Sequence, residues 1–146
     1  MKRAEEQITV KAPAEKVFAY VSDFPRHSEW SGNGLQVSKE GDGPVAVGAT
    51  YSTVAKQFGT QREQSTVTEV RQNATFAWDS KGALGLVHHW FELTGEDGST
   101  MVSKGAEMVQ PSFLGRMMGW KLSKDMPKGL QSDLEKIKAT VEGSAS

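Results

Sequence analysis

The chain has no cysteine, which removes disulfides, thiolate metal sites and a thiol nucleophile together. It also lacks an excess of either charge. Against 17 Lys plus Arg stand 18 Asp plus Glu, for a formal net charge of -1, with both signs interspersed along the sequence. A nucleic-acid partner needs a basic face, so none is expected. No apolar run approaches the roughly 18 residues of a membrane span. Met1 to Ile8 is too charged to hold the apolar region of a secretory signal, which points to the cytoplasm. Asn73-Ala74-Thr75 matches a glycosylation triplet but is read as chance without such a signal. The patterns G-x-S-x-G, P-loop, H-E-x-x-H and the dinucleotide glycine motif are all missing, so no metal, ATP, NAD or other cofactor is expected.

What remains is a chain of 146 residues, the usual size of one domain. A chain of this length typically buries about two-thirds of its unfolded surface, enough for a core with a cavity beside it. The expected domain is 1–142, with 143–146 as a flexible tail.

Periodicity divides the chain into elements. Ile8 and Val10 alternate with polar residues, as in a strand with one buried face. Ala12-Pro13 then opens a helix whose stripe is Val17, Phe18 and Val21. Phe24-Pro25 ends it, and Arg26-His27-Ser28-Glu29-Trp30 reads as a further turn or two of helix before the loop Ser31 to Gly34. Strands are predicted over 35–40, 50–58, 61–71, 75–80, 84–93 and 100–109. Turns are placed at Gly41 to Pro44, Gly59-Thr60, Gln72-Asn73, Lys81-Gly82 and Gly95 to Gly98. Connections this short make neighbouring strands antiparallel. From Phe113 onward the period is helical, through Leu122, Leu130, Leu134, Ile137 and Val141, with Pro127 expected to kink or break that helix. The only element large enough to cover the sheet is this last helix. A sheet curled around one helix leaves a space that side chains fill or a ligand occupies.

These segments resemble a known family. Ile8 to Phe18 is similar to the opening strand and helix of the SRPBCC, or START-like and Bet v 1-like, superfamily, and in particular of its polyketide cyclase/dehydratase-like proteins. Asp23, Pro25 and Trp30 resemble the family's signature of an aspartate followed by a tryptophan. Val47 to Tyr51, Val67 to Val70, Phe76 to Trp78 and Leu134 to Glu142 fall in its order and spacing. The resemblance covers nearly the whole chain. It implies an α+β helix-grip fold, a curved antiparallel sheet of β-α-α-β6-α order wrapped around a long C-terminal helix, with an internal cavity. It does not choose among cyclases, lipid carriers and receptors.

Candidate site residues follow from strand phase. His88 and His89 are adjacent and point to opposite faces, so they cannot share a metal. His89 shares its phase with Val87, Phe91 and Leu93 and is either a pocket polar group able to move a proton or an ordinary strand histidine. His88, Trp90 and Glu92 then face outward. Trp30, Tyr51, Phe76, Trp78, Phe91 and Met108 give an aromatic inner face that is either core or pocket wall, and the Tyr51 hydroxyl needs a partner if buried. Lys104 shares a phase with Val102, Ala106 and Met108. A bulge near Gly105, an ion pair at the sheet rim, or a cation recognising a ligand carboxylate would each explain it. Phe113, Met117, Met118 and Trp120 surround Gly115 and Gly119, which either loosen this helix end into a portal or pack closely on the sheet. The same surface, with Lys121 and Lys124, suits transient membrane or protein contact.

Three functions are consistent with these residues. The first is a pocket protein, monomer or homodimer, binding a small hydrophobic or aromatic molecule for transport or sequestration without covalent chemistry. The second is a cyclase/dehydratase-type enzyme in which His89 or Tyr51 transfers a proton. The third is an interaction module working through the start of the last helix.

Overall fold

The computed structural model describes residues 3–31, 35–40, 45–56 and 60–143, and among these the side chains at 39–40, 55–56, 60–61, 120 and 122 lie outside the description. The turns expected at Gly41 to Pro44 and at Gly59, the loop tip at 32–34 and the tail at 144–146 fall outside the described residues.

Among the described residues seven strands run β1 (Arg3–Val10), β2 (Gln36–Glu40), β3 (Thr50–Lys56), β4 (Thr60–Arg71), β5 (Thr75–Gly82), β6 (Gly85–Glu96) and β7 (Ser99–Pro111). They form one sheet in the order β1-β7-β6-β5-β4-β3-β2, antiparallel throughout. The connections dictate this: β6 and β7, for example, meet at Asp97-Gly98, whose φ values of 51° and 80° are those of a two-residue hairpin turn. Between β1 and β2 lie α1 (Ala14–Val21) and a 3-10 helix, Phe24–Glu29. After β7 come a short helix, α2 (Phe113–Met117), and the long α3 (Gly119–Gly143). This is the helix-grip arrangement.

Two expectations about the last helix and its strand are corrected. The interruption falls at Met118, flanked by Gly115 and Gly119, and α3 continues through Pro127. Weak helix propensity at the paired glycines accounts for the break. Gly115 is also pinned, because a Cβ there would run into the Leu84 carbonyl oxygen. Nor is there a bulge at Gly105: Lys104, Gly105 and Ala106 pair in unbroken register with Glu6, Glu5 and Ala4 on one side and with Phe91, Trp90 and His89 on the other. The register shifts lie at Val67/Glu69 and at Leu86/Val87, the second beside Gly85, whose φ of 109° suits glycine. Gly105 serves close approach instead. The outer-face Trp90 lies over it, held by a 2.7 Å hydrogen bond from its Nε1 to Glu5 and by the Arg3 guanidinium 4.4 Å from its ring.

The two halves of α3 meet the sheet differently. Its C-terminal half carries Leu134, Ile137 and Val141 into a core with Val10, Val17, Val21, Phe91 and Val102, all buried. Lys138 donates to the Thr9 carbonyl at 2.8 Å, and the Lys11 amide donates to Glu142 at 2.7 Å, tying this end to β1. In the N-terminal half, Gly129 faces open space, with nothing among the described residues within 4 Å of where a Cβ would stand. The sheet and helix close at one end and part at the other.

Candidate functional site

Where they part lies a cavity of about 430 Å³. Its walls come from β3 to β7, the 3-10 helix and the stretch of α3 from Asp125 to Asp133. One side is aromatic. Phe24, delivered by the 3-10 helix, stacks on His27 with ring centroids 4.3 Å apart and meets Trp78 edge-on at 5.5 Å. His27 in turn lies 4.6 Å from Trp30 and 4.9 Å from Trp78, and Trp78 stacks on His89 at 5.0 Å with the planes 10° apart. Offset and edge contacts of this kind hold rings in fixed orientations.

His27 is fully enclosed, and its Nε2 lies 2.8 Å from the Val21 carbonyl oxygen. A carbonyl can only accept, so Nε2 carries the proton. Burial pulls its pKa down to about 3, with the bond to Val21 opposing and the Lys104 charge assisting. His89 is held well below its ordinary value, first by burial and then by the charge of Lys104. Both imidazoles are therefore neutral near neutral pH. His89 Nδ1 and Trp30 Nε1 are buried polar atoms without a hydrogen-bond partner among the described residues, a state that costs free energy unless something fills it.

Lys104 projects from β7 into this aromatic wall and is 4% exposed. Its Nζ lies 3.7 Å from Asp133 Oδ2 on α3, 5.3 Å from the Trp30 ring centroid and 5.7 Å from that of Phe91. Burial lowers its pKa, and Asp133 opposes that shift. The expected ion pair exists, but inside the cavity wall and not at the sheet rim. The lining from β3 to β5 also has polar members: Ser65 and Ser80 share a 2.9 Å hydrogen bond, the Thr53 hydroxyl donates to the Glu63 carbonyl at 3.3 Å, and burial raises the Glu63 carboxyl pKa.

Of the residues singled out by strand phase, Trp30, Trp78, His89, Lys104 and Met108 line the cavity together. Tyr51, Phe76 and Phe91 are buried in the core and not among the lining residues. Tyr51 stacks on Phe24 at 4.4 Å and 6°, so Phe24 stands in the wall and Tyr51 behind it. Its hydroxyl has no partner among the described residues, and burial, with the Asp23 charge, raises its pKa. Phe113 and Met117 stand exposed outside the cavity, at 80% and 57%. The Trp120 side chain lies outside the described residues. Strand phase and helix stripe overlooked His27, Asp133 and the Ser65–Ser80 pair. Asp133 had a signal, since it follows Leu130 by three residues and precedes Ile137 by four, on the sheet-facing side of the helix. His27 had none, because nothing in Arg26-His27-Ser28-Glu29 announces which residue a 3-10 turn aims inward.

Among the described residues no group of three or more His, Cys, Asp or Glu is placed to hold a metal ion, and no helix is long and apolar enough to cross a membrane.

Comparison with known proteins adds four findings. Residues 1–142 match the family described as polyketide cyclase / dehydrase and lipid transport. The uncharacterized protein Rv0088 of Mycobacterium tuberculosis is 33% identical over 90 residues, 60% of this chain but only 38% of that protein's length. Among solved structures, TTHA0849 from Thermus thermophilus superposes with a TM-score of 0.78 at 16% identity, covering 99% of both chains. The di-domain ARO/CYC StfQ from the steffimycin biosynthetic pathway superposes at 0.68 and 14% identity, over 97% of this chain and 45% of that one. At such identities the structural likeness establishes the fold alone.

Proposed function

The chain belongs to the polyketide cyclase / dehydrase and lipid transport family, and on that premise we propose that it binds a small hydrophobic or aromatic molecule in its internal cavity, to carry or sequester it. One observation supports this above the rest: Trp30, Trp78 and His89 line a space of about 430 Å³, and two of these three hold buried polar atoms with no partner among the described residues. Rings supply area, and a few unsatisfied groups supply orientation, which is how small-molecule sites are built. Proton transfer, the alternative, has less support. An imidazole held well below its ordinary pKa is a weak base at neutral pH, and Tyr51 is screened by Phe24.

The test is a tryptophan-fluorescence titration with naphthalene, paired with Ala106→Phe, which fills the cavity beside His89. Saturable quenching in the natural protein, lost in a variant that keeps its circular dichroism, is the expected result. An unsaturable response in both would rule the binding site out.

A second reading draws on the exposed Phe113 and Met117. Apolar side chains in water at a helix end suit transient contact with a membrane or protein. Liposome flotation that survives Phe113→Ser with Met117→Ser would remove it.

A further inference from the structure

We propose that Lys104 is a covalent attachment point for a carbonyl ligand: its ε-amine forms a protonated imine with an aromatic aldehyde or ketone inside the cavity, and Asp133 serves as counter-charge and proton relay. This rests on the cavity-binding reading and adds a reversible covalent hold to it.

The placement of Lys104 is hard to explain as packing. It occupies a position on the inner face between Val102 and Ala106, where an apolar residue would avoid the desolvation cost of an ammonium. Its ionic partner among the described residues, Asp133, is 3.7 Å away, an ion-pair distance beyond a good hydrogen bond. The ammonium is thus neutralised but loosely held. Lysine, unlike arginine, can give up its proton in such surroundings and become a nucleophile, and burial already lowers the pKa of this one. The two imidazoles near it, His27 and His89, do not compete with Asp133 for the proton, because burial keeps them neutral.

The chemistry balances within the pair. Lys104 passes one proton to Asp133, and its freed lone pair attacks the carbonyl carbon. As the C–N bond forms, the C=O π pair moves onto oxygen. A proton shifts from that nitrogen to the oxygen, giving a neutral carbinolamine. Asp133 then returns its proton to the hydroxyl, which leaves as water as the nitrogen lone pair closes the C=N bond. The product is an iminium beside a carboxylate, the same charges in the same places as before. No oxidant, reductant or metal is consumed.

The wall also selects what can arrive. Lys104, its one ammonium among the described lining residues, is already paired with Asp133 and shares the lining with the carboxyl groups of Asp125 and Glu63, so a second anion is disfavoured and an uncharged carbonyl compound is not. Stacking on Trp30 or Trp78 suits an aromatic one.

The test is reductive trapping of the natural protein at neutral pH with 1-naphthaldehyde and cyanoborohydride, followed by peptide mapping. Label is expected at Lys104 ahead of exposed lysines such as Lys124 and Lys128. Excess naphthalene should suppress labelling at Lys104 alone. Label on the surface lysines with none at Lys104, in a protein that binds naphthalene, overturns the imine and leaves the cavity reading standing. Neither labelling nor naphthalene binding overturns both. Labelling at Lys104 that naphthalene does not suppress, in a protein that binds it, shows that the reaction does not use the cavity and also overturns the proposal. No variant is needed, so misfolding cannot obscure the outcome.

Discussion

The imidazole of His27 donates from Nε2 to the backbone carbonyl of Val21 at 2.8 Å, joining the 3-10 helix to the end of α1 inside an aromatic cage. The bond needs only the neutral ring, and the cage penalises the charged one. A group placed for orientation and packing thereby makes stability depend on pH.

The sign is fixed by the direction of the shift. His27 titrates near 6.5 when unfolded and at about 3 in the folded chain. Above 6.5 both states are neutral and the residue adds no pH dependence. As pH falls from 6.5 toward 3 the unfolded chain takes the proton and the folded one does not, so stability is lost at up to about 1.4 kcal/mol per unit. His89 acts in the same direction. The melting temperature should fall steeply between pH 6.5 and 4. In His27→Phe it should fall less steeply from a lower starting value, since the Val21 carbonyl loses its donor. Equal slopes would place the pH dependence elsewhere.

Removing Asp133 takes the counter-charge away from the buried Lys104. Asp133→Leu should cost about 3 kcal/mol in urea unfolding. Adding Lys104→Met should recover most of that, because the pair contributes little net stability over a well-packed apolar core. A double variant no better than the single one would show that the pair itself stabilises the fold.

Gly129 offers a gain. It sits inside α3, and an added Cβ would meet nothing among the described residues within 4 Å. Gly129→Ala should raise stability by about 0.5–1 kcal/mol through helix propensity and a more restricted unfolded chain. A loss would mean that the space above Gly129 is already filled.

Gly105 should behave in the opposite way. An added Cβ would strike the indole of Trp90, forcing it off its contacts with Glu5 and Arg3. Gly105→Ala should cost about 1–3 kcal/mol and shift the tryptophan emission. An unchanged urea midpoint would show that Trp90 gives way freely.

The fold was legible because its signals are periodic. Alternation through Val102, Lys104, Ala106 and Met108 placed all four on the inner face, and the spacing of Leu130, Leu134 and Ile137 marked the covering face of α3. The site was legible only in part. Phase tells which way a strand residue points but not what stands in front of it, so Tyr51 and Trp78 look equivalent in sequence although Phe24 screens only the first. The oddity of Lys104 was visible, yet its partner lay 29 positions along the chain on another element. Backbone terms explain the helix break: proline looks like the stronger breaker, but two glycines and a close approach to Leu84 decided the position.

The most direct test of ligand binding is native mass spectrometry of the protein purified from its own cells, followed by denaturing extraction of whatever it holds. The account predicts a discrete added mass that is released on denaturation as a small aromatic or hydrophobic compound and is absent from Ala106→Phe. A protein that is empty as purified, and whose melting temperature no apolar probe raises, would contradict it and leave Trp30, Trp78 and His89 as parts of a closed core.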